Sequence, residues 1–306
     1  MKPELWDPLV WFLKCKEWAL RARGFEHRQA RLDNHHSFNY YFREGDRGFP
    51  VLVLIHGLAL FPEWWAPLLP KLSRCYSLCI PELLGFGRSP GRSMDPAGFT
   101  LALFRRQIAH LKEVIGWDNA IVSGVSLGGW VAMDYALHDP DGVKGLILIA
   151  PAGADPDVRE EDLLKLKEIF DYDNAAGFRR LMNEYVLFKP RWIPGFVGSL
   201  AVKRSRWNGH KHFLNHLTFP DWIGARAFDL KMPVGMVWGC EDRVFPISTG
   251  FKLDAALTHA RLFPLENTGH SYLFETPETS SRAILDALKF IEREQERDTG
   301  TGQCAL

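Results

Sequence analysis

"IVSGVSLGGW", Ile121 to Trp130, is an apolar run that stops at a serine held between glycines and then continues. The residues before Ser126 read as a buried strand, and "LGGWVAMDYALHD" from Leu127 has the period and length of a helix. A serine at such a junction is either one small residue in a tight turn or a nucleophile displayed on it. Gly124-Val125-Ser126-Leu127-Gly128 fits G-x-S-x-G, and with a strand before and a helix after, the second reading prevails. The reason is steric: the serine sits in a strained backbone conformation, and its flanking glycines let strand and helix approach.

The rest of the chain repeats the alternation. "VLVLIH" from Val51 is continuous and β-branched, as expected of a strand buried on both faces, and "YSLCI", "AIVSG", "GLILIA", "PVGMVW" and "ARLFPL" are similar. "SFNYYFRE", Ser37 to Glu44, alternates like a half-exposed strand and pairs with residues 26–33 as an edge hairpin. Helical segments start at Leu101, Leu127 and Glu278. Strands alternating with helices predict an α/β domain with a mostly parallel sheet covered on both faces. One interruption stands out: from Pro151 to about Asp229 no buried-strand run occurs, only helical or irregular stretches rich in aromatics, which reads as a helical cap.

Composition excludes other classes. The 306 residues are 46% hydrophobic and 24% charged, and Lys+Arg balance Asp+Glu at 37 each. Zero net charge gives no electrostatic case for nucleic acid. The five cysteines, Cys15, Cys75, Cys79, Cys240 and Cys304, follow neither a metal-ligand nor a disulfide pattern, which predicts reduced thiols and a cytoplasmic location. No apolar run is long enough to span a bilayer, and no secretory signal is evident.

Residues 1–25 read as an amphipathic helix carrying Trp6, Trp11 and Trp18 beside Lys14, Lys16, Arg21 and Arg23. That pattern suits a membrane interface, packing on the protein's own domain, or self-association. Residues 294–306 read as a flexible tail. The remaining spans are a core of 26–150 and 230–293 and a cap of 151–229. His210, His212 and His216 raise the question of a metal, but no carboxylate or cysteine joins them at a ligand spacing, so neither metal nor cofactor is expected.

A serine nucleophile needs a general base, itself oriented by a carboxylate. "VWGCEDRVFP" puts Asp242 past the end of the "PVGMVW" strand, with Glu241 and Asp254 as nearby rivals, and "LENTGHSYLFETPE" puts His270 past the next strand. Loops at the carboxyl ends of strands are where an open α/β sheet keeps its site.

With these motifs the chain resembles the α/β-hydrolase superfamily from about residue 26 to 293. The resemblance implies an eight-stranded, mostly parallel sheet with the cap inserted after strand 6, and a triad of Ser126, Asp242 and His270. It also implies an oxyanion hole from the backbone N–H groups of Leu58, in the His56-Gly57-Leu58 loop, and Leu127. "PELLGFGRS", Pro81 to Ser89, matches the family's G-F-G-x-S loop with Glu82 in place of the usual Asp. Pro151-Ala152-Gly153 and the Glu266–Ser271 "ENTGHS" resemble the monoacylglycerol lipase and carboxylesterase branch. The carbon-carbon hydrolases of aromatic meta-cleavage commonly carry Trp after the catalytic His, where this chain has Ser271. The expected function is therefore a serine esterase acting on a small ester, with carbon-carbon hydrolysis and a non-catalytic ligand-binding module as alternatives.

Overall fold

The computed structural model describes residues 17–46, 49–58, 60, 62–89, 100–207 and 209–299. Eight strands form one sheet: β1 (Glu26–Arg31), β2 (Ser37–Arg43), β3 (Val51–Ile55), β4 (Ser77–Pro81), β5 (Ala120–Val125), β6 (Val143–Ile149), β7 (Val234–Gly239) and β8 (Ala260–Leu265). Their order is β1-β2-β4-β3-β5-β6-β7-β8, and only the pairings made by β2 are antiparallel. The edge hairpin is β1 and β2, in register from Glu26 opposite Phe42 to Arg31 opposite Ser37. The α/β-hydrolase fold expected from the motifs is the fold observed.

The apolar runs explain the layers. Because strand side chains alternate faces, Val53, Ile55, Val122, Leu146, Leu148 and Met236 enter one core, while Leu52, Leu54, Ile121, Ile147, Ile149 and Val237 enter the other. The short helix α1 (Leu69–Leu72) packs in the second core, and α2 (Leu101–Ile115) and α3 (Leu127–His138) cover the first. The helix α2 starts on a Thr100 cap, whose hydroxyl accepts from Leu103 N–H, and ends at Gly116 in the left-handed region, φ 80°.

Between β6 and β7 lies the cap, with α4 (Glu160–Phe170), α5 (Ala175–Leu181), a π-helical turn at Met182–Val186, α6 (Gly195–Trp207) and α7 (His210–His216). Its two ends meet at one point, where Gly153 carbonyl oxygen accepts from Ile223 N–H at 3.1 Å and Gly224 N–H at 2.9 Å. Trp130 and Trp222 stack edge-on there with centroids 5.0 Å apart. The core resumes with α8 (Ser248–Ala256), α9 (Tyr272–Glu275) and α10 (Pro277–Thr299).

Two terminal expectations change in detail. Residues 17–21 are helical, but a turn ending at Gly24, φ 83°, closes the segment before residue 25; residues 1–16 lie outside the described residues. Leu20 is buried and Glu17 pairs with Arg88 of the G-F-G-R-S loop at 3.0 Å, while Trp18 is exposed. At the other end, 294–299 continue α10 rather than forming a loose tail. Gln295 donates to the Lys144 carbonyl at 2.6 Å and Arg297 pairs with Glu294, contacts that hold the final turns; 300–306 lie outside the described residues.

Candidate active site

Ser126 has φ 55° and ψ −117°, a conformation that L side chains rarely adopt. Its surroundings hold it there: Ser126 N–H donates to Ile149 carbonyl oxygen at 3.0 Å, and its own carbonyl accepts from Trp130 N–H at 3.1 Å and Ala152 N–H at 3.0 Å. A Cβ on Gly124 would overlap the Gly128 carbonyl, and one on Gly128 would stand 2.6 Å from His56 oxygen and nearer still to Ile55 oxygen. Both glycines are thus required by close backbone approach. The "PAG" motif has the same cause, since a Cβ on Gly129 would meet Pro151 at 2.7 Å and Gly153, φ 76°, lies against the Trp130 indole.

The His56-Gly57-Leu58 loop rests on this turn, with the position of a Gly57 Cβ 3.3 Å from Ser126 Cβ. His56, fully buried, fixes the loop. Its Nε2 accepts from Leu83 N–H at 3.1 Å, so the proton is on Nδ1, which donates to the Gly57 carbonyl at 2.9 Å. Leu127 N–H belongs to the first residue of α3, where no preceding turn supplies an acceptor. These are the two amides that the resemblance assigns to an oxyanion hole.

Asp242, past β7, is buried and accepts four hydrogen bonds. Its Oδ1 takes Val244 and Phe245 N–H, both at 2.9 Å. Its Oδ2 takes His270 Nδ1 at 2.7 Å and the Tyr272 hydroxyl. A carboxylate acceptor requires Nδ1–H on His270, leaving Nε2 with a lone pair. The rival carboxylates are engaged elsewhere, Glu241 with Thr268 N–H at 2.8 Å and Asp254 with Leu262 N–H at 2.7 Å. Ser126, Asp242 and His270 therefore follow the carboxyl ends of β5, β7 and β8, two of them in direct contact.

Several contributors were not named from sequence. Tyr272 lies two residues after the histidine in "GHSY", a spacing without helix or strand period to mark it. Glu275 joins cap to core, accepting Phe188 N–H at 2.6 Å on Oε1 and Gly269 N–H at 3.0 Å on Oε2. Arg243 donates to the Glu184 and Phe188 carbonyls, each at 3.3 Å, and His270 N–H donates to Val186 carbonyl at 2.7 Å. The π-helical turn thus presents carbonyls to both the Asp242 loop and the His270 loop. Glu82, the departure from the family's Asp, accepts Arg88 N–H and closes the loop around Gly87, φ 57°.

A cavity of about 500 Å³ reaches Ser271, the residue after His270, without being lined by Ser126, Asp242 or His270 themselves, and its apolar wall includes Leu60, Trp64, Met182, Leu187 and Phe274. Glu63, Arg191 and Ser271 are the polar side chains on it. Elsewhere, His210 is buried with Nε2 on the Phe170 carbonyl at 3.0 Å, and His216 Nδ1 bonds the His212 carbonyl of its own helix. No group of three potential metal-ligating side chains occurs among the described residues. Cys75 and Cys79 are buried free thiols and Cys240 is an exposed one. No described helix is long and apolar enough to cross a membrane.

The model of the alpha/beta hydrolase family matches residues 52–283. The chain is 28% identical to a pimeloyl-[acyl-carrier protein] methyl ester esterase of Aromatoleum aromaticum, over 78% of this chain and 98% of that protein. It is 24% identical to the monoacylglycerol lipase ABHD6 of Bos taurus, over 89% of this chain and 84% of the other. Among solved structures, the 2-hydroxy-6-oxo-6-phenylhexa-2,4-dienoate hydrolase of Rhodococcus sp. strain RHA1 superposes with a TM-score of 0.71. It is 20% identical, and the match covers 87% of this chain and 99% of that one.

Proposed function

Since the chain belongs to the alpha/beta hydrolase family, we propose that it hydrolyses carboxylic esters through an acyl-enzyme on Ser126. The observation that carries this reading is the 2.7 Å bond from His270 Nδ1 to Asp242, which leaves Nε2 as a base at the carboxyl end of the sheet, where Ser126 is held in its strained turn. In the proposed cycle His270 Nε2 takes the Ser126 hydroxyl proton as Oγ attacks the ester carbonyl, and Asp242 stabilises the imidazolium. Leu58 and Leu127 N–H groups receive the oxyanion; one such donor is worth about 100- to 1000-fold in rate. The alcohol departs with the proton from His270, and water repeats the sequence on the acyl-enzyme.

The apolar cavity supports an acyl chain of short or medium length, carried on glycerol or a simple alcohol. A structural neighbour is a 2-hydroxy-6-oxo-6-phenylhexa-2,4-dienoate hydrolase, so the second reading is cleavage of a vinylogous 1,5-diketone. Such substrates carry several oxygens. The mostly apolar wall supports the ester, and Arg191 is the group on it that would suit the dienoate's carboxylate.

A panel of p-nitrophenyl esters and monoacylglycerols of graded acyl length tests the assignment, run beside a meta-cleavage dienoate. Ser126→Ala is expected to lose at least a thousandfold in kcat and all labelling by a fluorophosphonate. Ester turnover retained by Ser126→Ala would refute it, and preference for the dienoate would select the second reading.

A further inference from the structure

Tyr272 is fully buried, and its hydroxyl bonds the same Asp242 oxygen that holds His270. The phenol oxygen also stands 3.4 Å from His270 Nδ1, and the two rings meet at 64° with centroids 5.7 Å apart. The side chain has no room to swing away. Its residue opens α9, and its carbonyl accepts from Thr276 N–H at 3.0 Å and Ser280 hydroxyl at 3.1 Å. Burial, and then the charge of Asp242, push the phenol well above its ordinary pKa, so it acts as a donor throughout the working range.

Two donors therefore compete for one carboxylate oxygen. We propose that Tyr272 is a positioning residue that sets the basicity of His270, by drawing charge from Asp242 Oδ2 and holding that oxygen in line with Nδ1. This rests on the esterase reading only for its kinetic readout. When His270 takes the serine proton, the imidazolium leans on Asp242, and the phenol's share limits how strongly. Without that hydroxyl the carboxylate has one donor fewer, Oδ2 keeps more charge for the imidazolium, and His270 holds its proton to higher pH.

The other ionisable groups around the pair are occupied. On the acid loop Glu241 is bound by Thr268 N–H, and the Arg243 guanidinium is turned to the Glu184 and Phe188 carbonyls. On Tyr272's own helix, Glu275 is bound by Phe188 and Gly269 N–H. None of them reaches Asp242 Oδ2, so Tyr272 has no substitute there among the described residues.

The experiment compares wild type with Tyr272→Phe and with a fluorinated tyrosine placed at 272, a more acidic donor of nearly the same shape. The acidic limb of kcat/KM against pH is expected to move up by about half a unit to one unit in Tyr272→Phe and down in the fluorinated protein, with KM within about twofold. Histidine ring titration by 15N NMR should show the same opposed shifts at His270, and it needs no substrate. Superimposable limbs and titrations in the three proteins overturn the proposal, whatever happens to kcat, because a purely structural role moves kcat or Tm and leaves the limb in place. Should Tyr272→Phe fail to fold, the fluorinated protein decides the question by itself. An inactive wild type with opposed NMR shifts would sink the esterase reading and keep this one.

Discussion

At the scale of single residues, the serine turn is a steric device before it is a chemical one. Ser126, with φ 55°, is sustained because glycines at 124 and 128 let β5, α3 and the His56 loop crowd together. Gly128→Ala would drive a methyl group into the Ile55 and His56 carbonyls, which are backbone and do not rotate aside. A loss of about 3 kcal/mol is expected, at the upper end of overpacking costs, read as a lower denaturation midpoint together with loss of ester turnover. A variant as stable and active as wild type would show that the turn relaxes. The glycines were legible in sequence because the steric rule is local, and so was the placement of Asp242 and His270 in loops after strands. Tyr272 was not: its importance comes from a contact made across a loop, and no sequence period marks such a contact.

At the scale of elements, the strands were readable because each is a short apolar run with both faces covered, and alternation alone assigns its residues to the two cores. The cap was readable only as a gap in that pattern. How it is fastened depends on Glu275, Arg243 and the π-helical turn Met182–Val186, none of which has a sequence signature. Glu275→Ala would leave Phe188 and Gly269 N–H without their acceptor, at a cost of about 1–3 kcal/mol each if they stay dry. Since those amides flank the cap segment and the His270 loop, kcat/KM for the ester is expected to fall about tenfold, a factor equal to 1.4 kcal/mol. An unchanged kcat/KM would show that the His270 loop keeps its place without this strap.

At the scale of the whole molecule, the ordinary composition and balanced charge say little about where stability depends on pH, but the buried His210 and the half-buried His27 do. His210 has its pKa lowered, chiefly by burial, and its Nδ1 has no hydrogen-bond partner among the described residues. His27 is shifted in the same direction, again chiefly by burial. In the unfolded chain such a residue takes a proton near pH 6.5, whereas in the folded one it resists. Below that pH the unfolded state binds more protons, so stability falls as pH falls through this window and is recovered above it. A plot of Tm against pH from 8 to 5 should decline toward the acid side, less steeply in His210→Gln; equal slopes would remove His210 from the account.

The narrow neck at Gly153 also bears on how such a molecule can change over time. The chain leaves the sheet after β6 and returns before β7 through almost one point, with both ends tied to a single carbonyl. Closure entropy for a span with joined ends grows only with the logarithm of its length, about 0.6 kcal/mol per doubling, so length and sequence between 154 and 222 are nearly decoupled from the order of the strands. On the proposed function, the stretch between 154 and 222 is in effect a replaceable module on a fixed frame. Its exchange for another cap of different shape would present new substrates to the same serine.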